Sequence, residues 1–269
     1  METNPLPILP ITMVGSYSIP SWLWLTRKSL LNNELGDLDV KEAFDDALRI
    51  AVSDQENAGI DIITDGEMRR QNFTSGFYEL LTGIKPNPIN RKLGVPLQDQ
   101  VTTYNVFQKI LAPKGLGIIE SFKKIKKETK KRIKVTCPGP LTLSNHLNPT
   151  EEYSDIKEIE NDLSKIINGE LRELVSSGAE FIQIDEPSYT MQNATRQKEW
   201  TELLNKTISG INSKIALHIC FGNRYGRPVM SDRSYEKLFP QILDANVDQF
   251  VLEFANRQMS EIDIWKRKN

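Results

Sequence analysis

The chain has 269 residues, 39% hydrophobic and 26% charged, with 34 lysines and arginines against 36 acids for a formal charge of −2. That is a globular composition, long enough for one large α/β domain or two small ones, and its near-neutral balance argues against nucleic acid or a membrane surface as partner. No apolar run reaches the ~18 residues of a membrane span, no basic-then-apolar leader opens the chain, and Cys137 and Cys220 make no disulfide framework, so a cytoplasmic protein with reduced thiols is expected.

In chain order, residues 11–14 read as a short strand ending at Gly15-Ser16-Tyr17. A helical pattern over 41–57 leads through Ala58-Gly59 into an apolar strand that ends at Asp65-Gly66-Glu67. Residues 83–103, with Pro86, Pro88, Gly94 and Pro96, read as a long irregular loop on the functional face. An amphipathic helix over 118–131 precedes a strand over 133–137 that stops at Pro138-Gly139-Pro140, and the basic run 123–134 reads as its solvated face. A helix over 154–176 passes through Ser177-Gly178 into the strand 179–185. The strand 214–220 ends at Phe221-Gly222, a helix over 234–244 passes through Ala245-Asn246 into the strand 247–253, and residues 260–269 extend a last helix. The Gly or Asn in each repeated junction suits the left-handed turn that closes a helix.

Six strands alternating with helices predict a parallel sheet with right-handed crossovers. Ser16, Asp65, Glu67, Asp185, Glu186, His218, Cys220 and Glu253 gather at the strand C-termini, where (β/α)8 barrels and open doubly wound sheets both place their ligands. A Gly-x-Gly-x-x-Gly turn follows none of the strands, which weakens a dinucleotide reading. Six units fall short of the eight of a barrel. The expectation is a single α/β domain over 1–269 of incomplete TIM-barrel type, its margins covered, completed by a second chain or homo-oligomer, or left as a fragment.

His218-Ile219-Cys220 places an imidazole and a thiol on one side of a strand end. Alone, the pair is a core histidine beside an inert cysteine. Glu253, closing the next strand, adds the carboxylate that makes a Zn2+ site the better reading. In Asp65-Gly66-Glu67-Met68-Arg69-Arg70, Gly66 permits close approach and Glu67 can hold an ammonium; the alternative is a solvated helix start. Asp185-Glu186-Pro187 is either a helix-capping pair or a ligand pair. No serine sits in a Gly-x-Ser-x-Gly elbow.

Val14-Gly15-Ser16-Tyr17, Thr64-Asp65-Gly66-Glu67, Gly139-Pro140-Leu141-Thr142, Ile184-Asp185-Glu186-Pro187, His218-Ile219-Cys220 and Glu253 together resemble, in order, the catalytic domain of cobalamin-independent methionine synthases. The resemblance runs from about Ile11 to Arg257 and implies a (β/α)8 barrel. It implies zinc on His218, Cys220 and Glu253, and homocysteine held at Gly15, Ser16, Glu67 and Asp185. It implies methyl transfer to the homocysteine thiol from methyl-tetrahydrofolate or a methyl-corrinoid protein. Three departures stand out. The family's second zinc cysteine has no counterpart, Cys137 being poorly placed for it. The extra N-terminal barrel of the long methyl-folate enzymes is absent. Leu143-Ser144-Asn145-His146 stands where those enzymes carry a folate-facing Trp. Alternatives are a corrinoid-dependent methyltransferase with another thiol acceptor, and a non-catalytic amino-acid-binding relative.

Overall fold

The computed structural model describes residues 5–70, 74–91, 100–191, 194–222 and 233–267. Helices α1 (Ser21–Leu31) and α2 (Asp37–Asn57) precede strand β1 (Ile62–Ile63). The short α3 (Ser75–Tyr78) leads into β2 (Thr82–Pro86) and β3 (Tyr104–Leu111). Then come α4 (Ile118–Glu128), β4 (Arg132–Ile133), β5 (Val135–Pro138), α5 (Pro140–Ser144) and β6 (Leu147–Asn148). The chain goes on through α6 (Ile156–Ser176), β7 (Phe181–Asp185), α7 (Ser188–Met191), α8 (Gln197–Thr207), β8 (Lys214–Ile219) and β9 (Gln249–Leu252).

Local signals explain the long helices. The α2 start carries Asp37 and Asp39 against the positive end of the helix dipole, and Asp39 accepts from the Gly36 N–H at 3.1 Å. Asp155 caps α6 by accepting from the Lys157 N–H. Both helices then close on glycines in the left-handed region, Gly59 at φ +76° and Gly178 at φ +94°. On α6, Ile159, Leu163, Ile167, Leu171 and Leu174 repeat at helical spacing and are fully buried. Each contributes about 2 kcal/mol of apolar burial.

Parallel pairing then follows chain order. Thr12 bridges Ile62, β1 pairs with β4, and β5, β7, β8 and β9 lie side by side, all parallel. Lys134, between β4 and β5, donates its N–H to Ile63 O at 2.9 Å, which joins the two groups. These are the six expected staves of a TIM-barrel-type cylinder. Among the described residues β9 has a strand neighbour on one side only and the cylinder is not closed.

Four expectations need correction. Residues 83–103 are not one irregular loop: β2 and β3 form an antiparallel hairpin with β6 added in parallel, because alternating residues such as Val106 and Ile110 bury one face; 92–99 lie outside the described residues. Residues 234–244 form two 3₁₀ turns, Glu236–Leu238 and Gln241–Asp244, around Phe239-Pro240, since Pro240 cannot donate the N–H a continuous helix needs. The last segment is likewise 3₁₀, Ile262–Arg267. Asn246 is not among the residues with positive φ, so the third repeat keeps its strand but not its left-handed turn.

The sheet separates two environments. Ile182, Ile184, Leu217 and Ile219 join the main core under α6. On the opposite, inner face Ile62, Phe181 and Ala216 form a separate small cluster with Leu6 and Val251. Toward the strand C-termini that inner face turns polar.

Candidate functional site

The Gly15-Ser16 turn hangs inside the cylinder from side chains of three different staves. Lys134 Nζ donates to Met13 O at 2.6 Å, Gln183 Nε2 to Val14 O at 2.8 Å, and Thr64 Oγ1 to Gly15 O at 3.1 Å. Tyr17 N–H adds Gly66 O at 2.9 Å. A side chain at Gly15 would meet Glu67 Oε1 at 2.9 Å, so any larger residue here would displace that carboxylate.

Ser16 then donates to Glu67 Oε2 at 2.5 Å. Gly66 and Glu67 both sit in the left-handed region, at φ +63° and +57°. For a non-glycine residue that costs about 1–2 kcal/mol, and here it aims a buried carboxylate at the turn. The Glu67 Oε1 atom accepts from Thr136 Oγ1 at 3.2 Å and lies 3.1 Å from Arg70 Nη1. Arg70 in turn donates to the Thr136 carbonyl and hydroxyl. Burial pushes the Glu67 carboxyl up; the Arg70 charge opposes that and Asp185 adds to it.

Asp185 and Glu186 part company. Successive strand residues face opposite sides, and the two carboxylates obey that rule. Asp185 turns inward, 2% exposed, with Oδ1 accepting from Gln183 Nε2 at 2.7 Å and 2.8 Å from His218 Nδ1. Its Oδ2 is buried with no hydrogen-bond partner. Glu186 turns outward and accepts from Leu141 N–H at 3.0 Å, Thr142 N–H at 2.8 Å and Thr142 Oγ1 at 2.6 Å, which caps α5. A side chain at Gly139 would collide with that carboxylate. Burial pushes Glu186 up to about 8 even against these bonds. Grouping the two acids as one pair therefore fails, and the helix Glu186 caps is that of the neighbouring stave.

His218 and Cys220 do come together. Burial disfavours a charged His218 ring, but hydrogen bonds to Asp185 and Cys220 outweigh it and hold the imidazole up to about 10. Pairing continues to Ile219↔Leu252, so the next step sets Cys220 beside Glu253. The buried Tyr235 hydroxyl ties these strand ends, donating to Ile219 O and accepting from Glu253 N–H, each at 2.8 Å. The Glu253 carboxylate lies 3.9 Å from Arg233. Among the described residues no three His, Cys, Asp or Glu side chains converge tightly enough to hold a metal ion. The donor chemistry nevertheless suits one: a ring nitrogen anchored on a carboxylate is how metal-binding histidines are oriented, and the same ring hydrogen-bonds Cys220.

Lys134, Thr136, Gln183 and Tyr235 complete the site, with Thr64 and Arg70 from the motif around Glu67. Gln183 and Thr136 had a readable signal, being polar at inward positions of otherwise apolar strands; Tyr235 had none. Arg70 and Lys134 overturn the solvated readings given to them: among the described residues Arg70 starts no helix and pairs with Glu67, and Lys134 is 1% exposed. Cys137 lies on the outer face in the apolar core, where burial pushes its thiol up. His146 packs edge-on against Tyr78 at 6.2 Å. No helix among the described residues is long and apolar enough to cross a membrane.

The family model "Cobalamin-independent synthase, Catalytic domain" matches residues 9–269. A methionine synthase of Sulfurisphaera tokodaii is 34% identical over 274 residues, covering 98% of this chain and 73% of that protein. One from Pyrococcus abyssi is 33% identical over 263 residues, covering 97% and 73%. The solved B12-independent methionine synthase of Shewanella sp. W3-18-1 superposes with a TM-score of 0.74 at 28% identity, over 91% of this chain and 73% of that one. The chain belongs to the cobalamin-independent methionine synthase family, through its catalytic domain.

Proposed function

We propose that this chain moves a methyl group onto the thiol of homocysteine to form methionine, with zinc held by His218, Cys220 and Glu253. The observation that carries this is Asp185: a buried carboxylate with one oxygen saturated by Gln183 and His218 and the other without a partner. Such an oxygen suits a ligand ammonium, and it belongs to the same side chain that anchors the imidazole beside Cys220. One side chain thus adjoins both ends of an amino-acid thiol. The Shewanella relative is in complex with selenomethionine, the selenium form of the product.

In this reading Asp185 and Glu67 hold the amino group, and Ser16 and the turn behind it hold the carboxylate. A free thiol of pKa about 8.5 is mostly protonated at neutral pH and is a weak nucleophile in that form. When bound, zinc supplies the charge that favours loss of that proton. The chain's own task is orientation, where a misplacement of about 1 Å costs roughly a hundredfold in rate. The methyl donor is methyl-tetrahydrofolate or a methyl-corrinoid protein, and a second chain or copy is the proposed completion of the cylinder.

The test is zinc stoichiometry together with methyl transfer to homocysteine from both donors, with and without the proteins encoded beside this one. One zinc per chain, weakened more than about a hundredfold by His218→Ala or Cys220→Ser along with loss of transfer, is the expected result. Homocysteine binding without zinc would favour a non-catalytic amino-acid-binding protein instead.

A further inference from the structure

We propose that Gln183 is a positioning residue that locks the Gly15-Ser16 turn to Asp185; this rests on the reading of Asp185 as the ammonium seat. Gln183 is 0% exposed. Its Nε2 spends one hydrogen on Val14 O at 2.8 Å and the other on Asp185 Oδ1 at 2.7 Å. Both partners only accept, so the amide cannot be flipped without facing oxygen against oxygen twice. Its Oε1 is buried with no partner, as is Asp185 Oδ2. A buried amide retained with an unsatisfied acceptor runs against the usual rule for interiors, which points to its two donated bonds as the reason for its presence.

Lys134 and Thr64 also hold carbonyls of this turn, but neither bonds Asp185. Gln183 alone, among the described residues, touches both. One planar group therefore sets the spacing between the turn that takes one end of the amino acid and the carboxylate that takes the other. Asparagine is one methylene too short to span the same gap from the same backbone, glutamate lacks both N–H groups, and methionine keeps the length with no donor.

The experiment measures homocysteine affinity by calorimetry, with KM and kcat, on the full zinc-loaded chain carrying Gln183→Met, Asp185→Asn or both. Gln183→Met is expected to weaken homocysteine binding about tenfold, the worth of one charge-assisted hydrogen bond, with KM rising at least as much as kcat falls. In the Asp185→Asn background the same substitution is expected to change affinity by less than about twofold, because coupled residues are non-additive. Unchanged affinity in Gln183→Met, or an undiminished loss in the Asp185→Asn background, overturns the proposal. Asp185→Asn binding homocysteine like wild type overturns the underlying reading of Asp185 instead. If Gln183→Met does not fold, Gln183→Leu, of similar volume and likewise without a donor, carries the same expectations.

Discussion

The inner and outer faces of one sheet treat adjacent carboxylates in opposite ways. On the outside, Glu186 is enclosed and saturated by three donors of α5, two from Thr142 and one from Leu141. On the inside, Asp185 is as deeply buried but keeps one oxygen unpaired. Burial alone does not distinguish the two, since both are 1–2% exposed. Saturation does. A buried carboxyl whose hydrogen-bonding positions are all met holds architecture together; one with an oxygen left open is costly unless something arrives to meet it.

That contrast can be broken most forcefully at Asp185. Asp185→Asn is expected to raise the KM for homocysteine tenfold to about a hundredfold, because a charge-assisted bond to the ammonium is lost. It should also weaken zinc about tenfold, since Asp185 orients His218. Metal titration of the variant checks the second effect separately from the first. The sequence reading gives Asp185 to the amino acid and His218 to the metal; the hydrogen bond between them is why one substitution is expected to move both readouts.

Glu186→Gln probes the outer face. An amide can supply only one accepting oxygen, so its NH₂ is set against the Leu141 or Thr142 N–H. Stability is expected to fall by about 1–3 kcal/mol, read by urea denaturation, with the homocysteine KM unmoved. A large KM effect here would erase the distinction between the faces.

Lys134 gives the smallest and most pH-dependent effect. Burial holds its ammonium down to about 8 from 10.5, with Asp185 and Glu67 pulling the other way. The unfolded chain keeps that proton up to about 10.5 and the folded chain releases it near 8, so between those values the unfolded state binds more protons. Folding stability from this group therefore rises with pH across that window and is lost as pH falls through 8. Lys134→Met should remove the rise. The wild-type advantage over the variant is then expected to grow from about pH 7.5 to about pH 9.5 in denaturation curves; a pH-independent difference would mean that Lys134 acts only through its bond to Met13.

Alternation of apolar and polar residues, helix-closing glycines and strand-end carboxylates determined the six staves, their parallel order and the end at which the polar groups collect, because these depend on periods of two and 3.6 that a chain carries locally. The His218-Cys220 neighbourhood was legible for the same reason: two residues two apart on one strand. What the sequence could not decide was partnership across strands. That Gln183 reaches Val14, that Lys134 reaches Met13, that Tyr235 ties two strand ends, and that Asp185 and Glu186 serve opposite faces all follow from which stave lies beside which and at what height. The 3₁₀ turns around Phe239-Pro240 and the hairpin of β2 with β3 had local causes in Pro240 and in the alternation at Val106 and Ile110, which were legible but outweighed by the helical and proline-rich patterns around them. Long-range neighbours come from burial of the whole sheet, a sum over the entire chain that no local window contains.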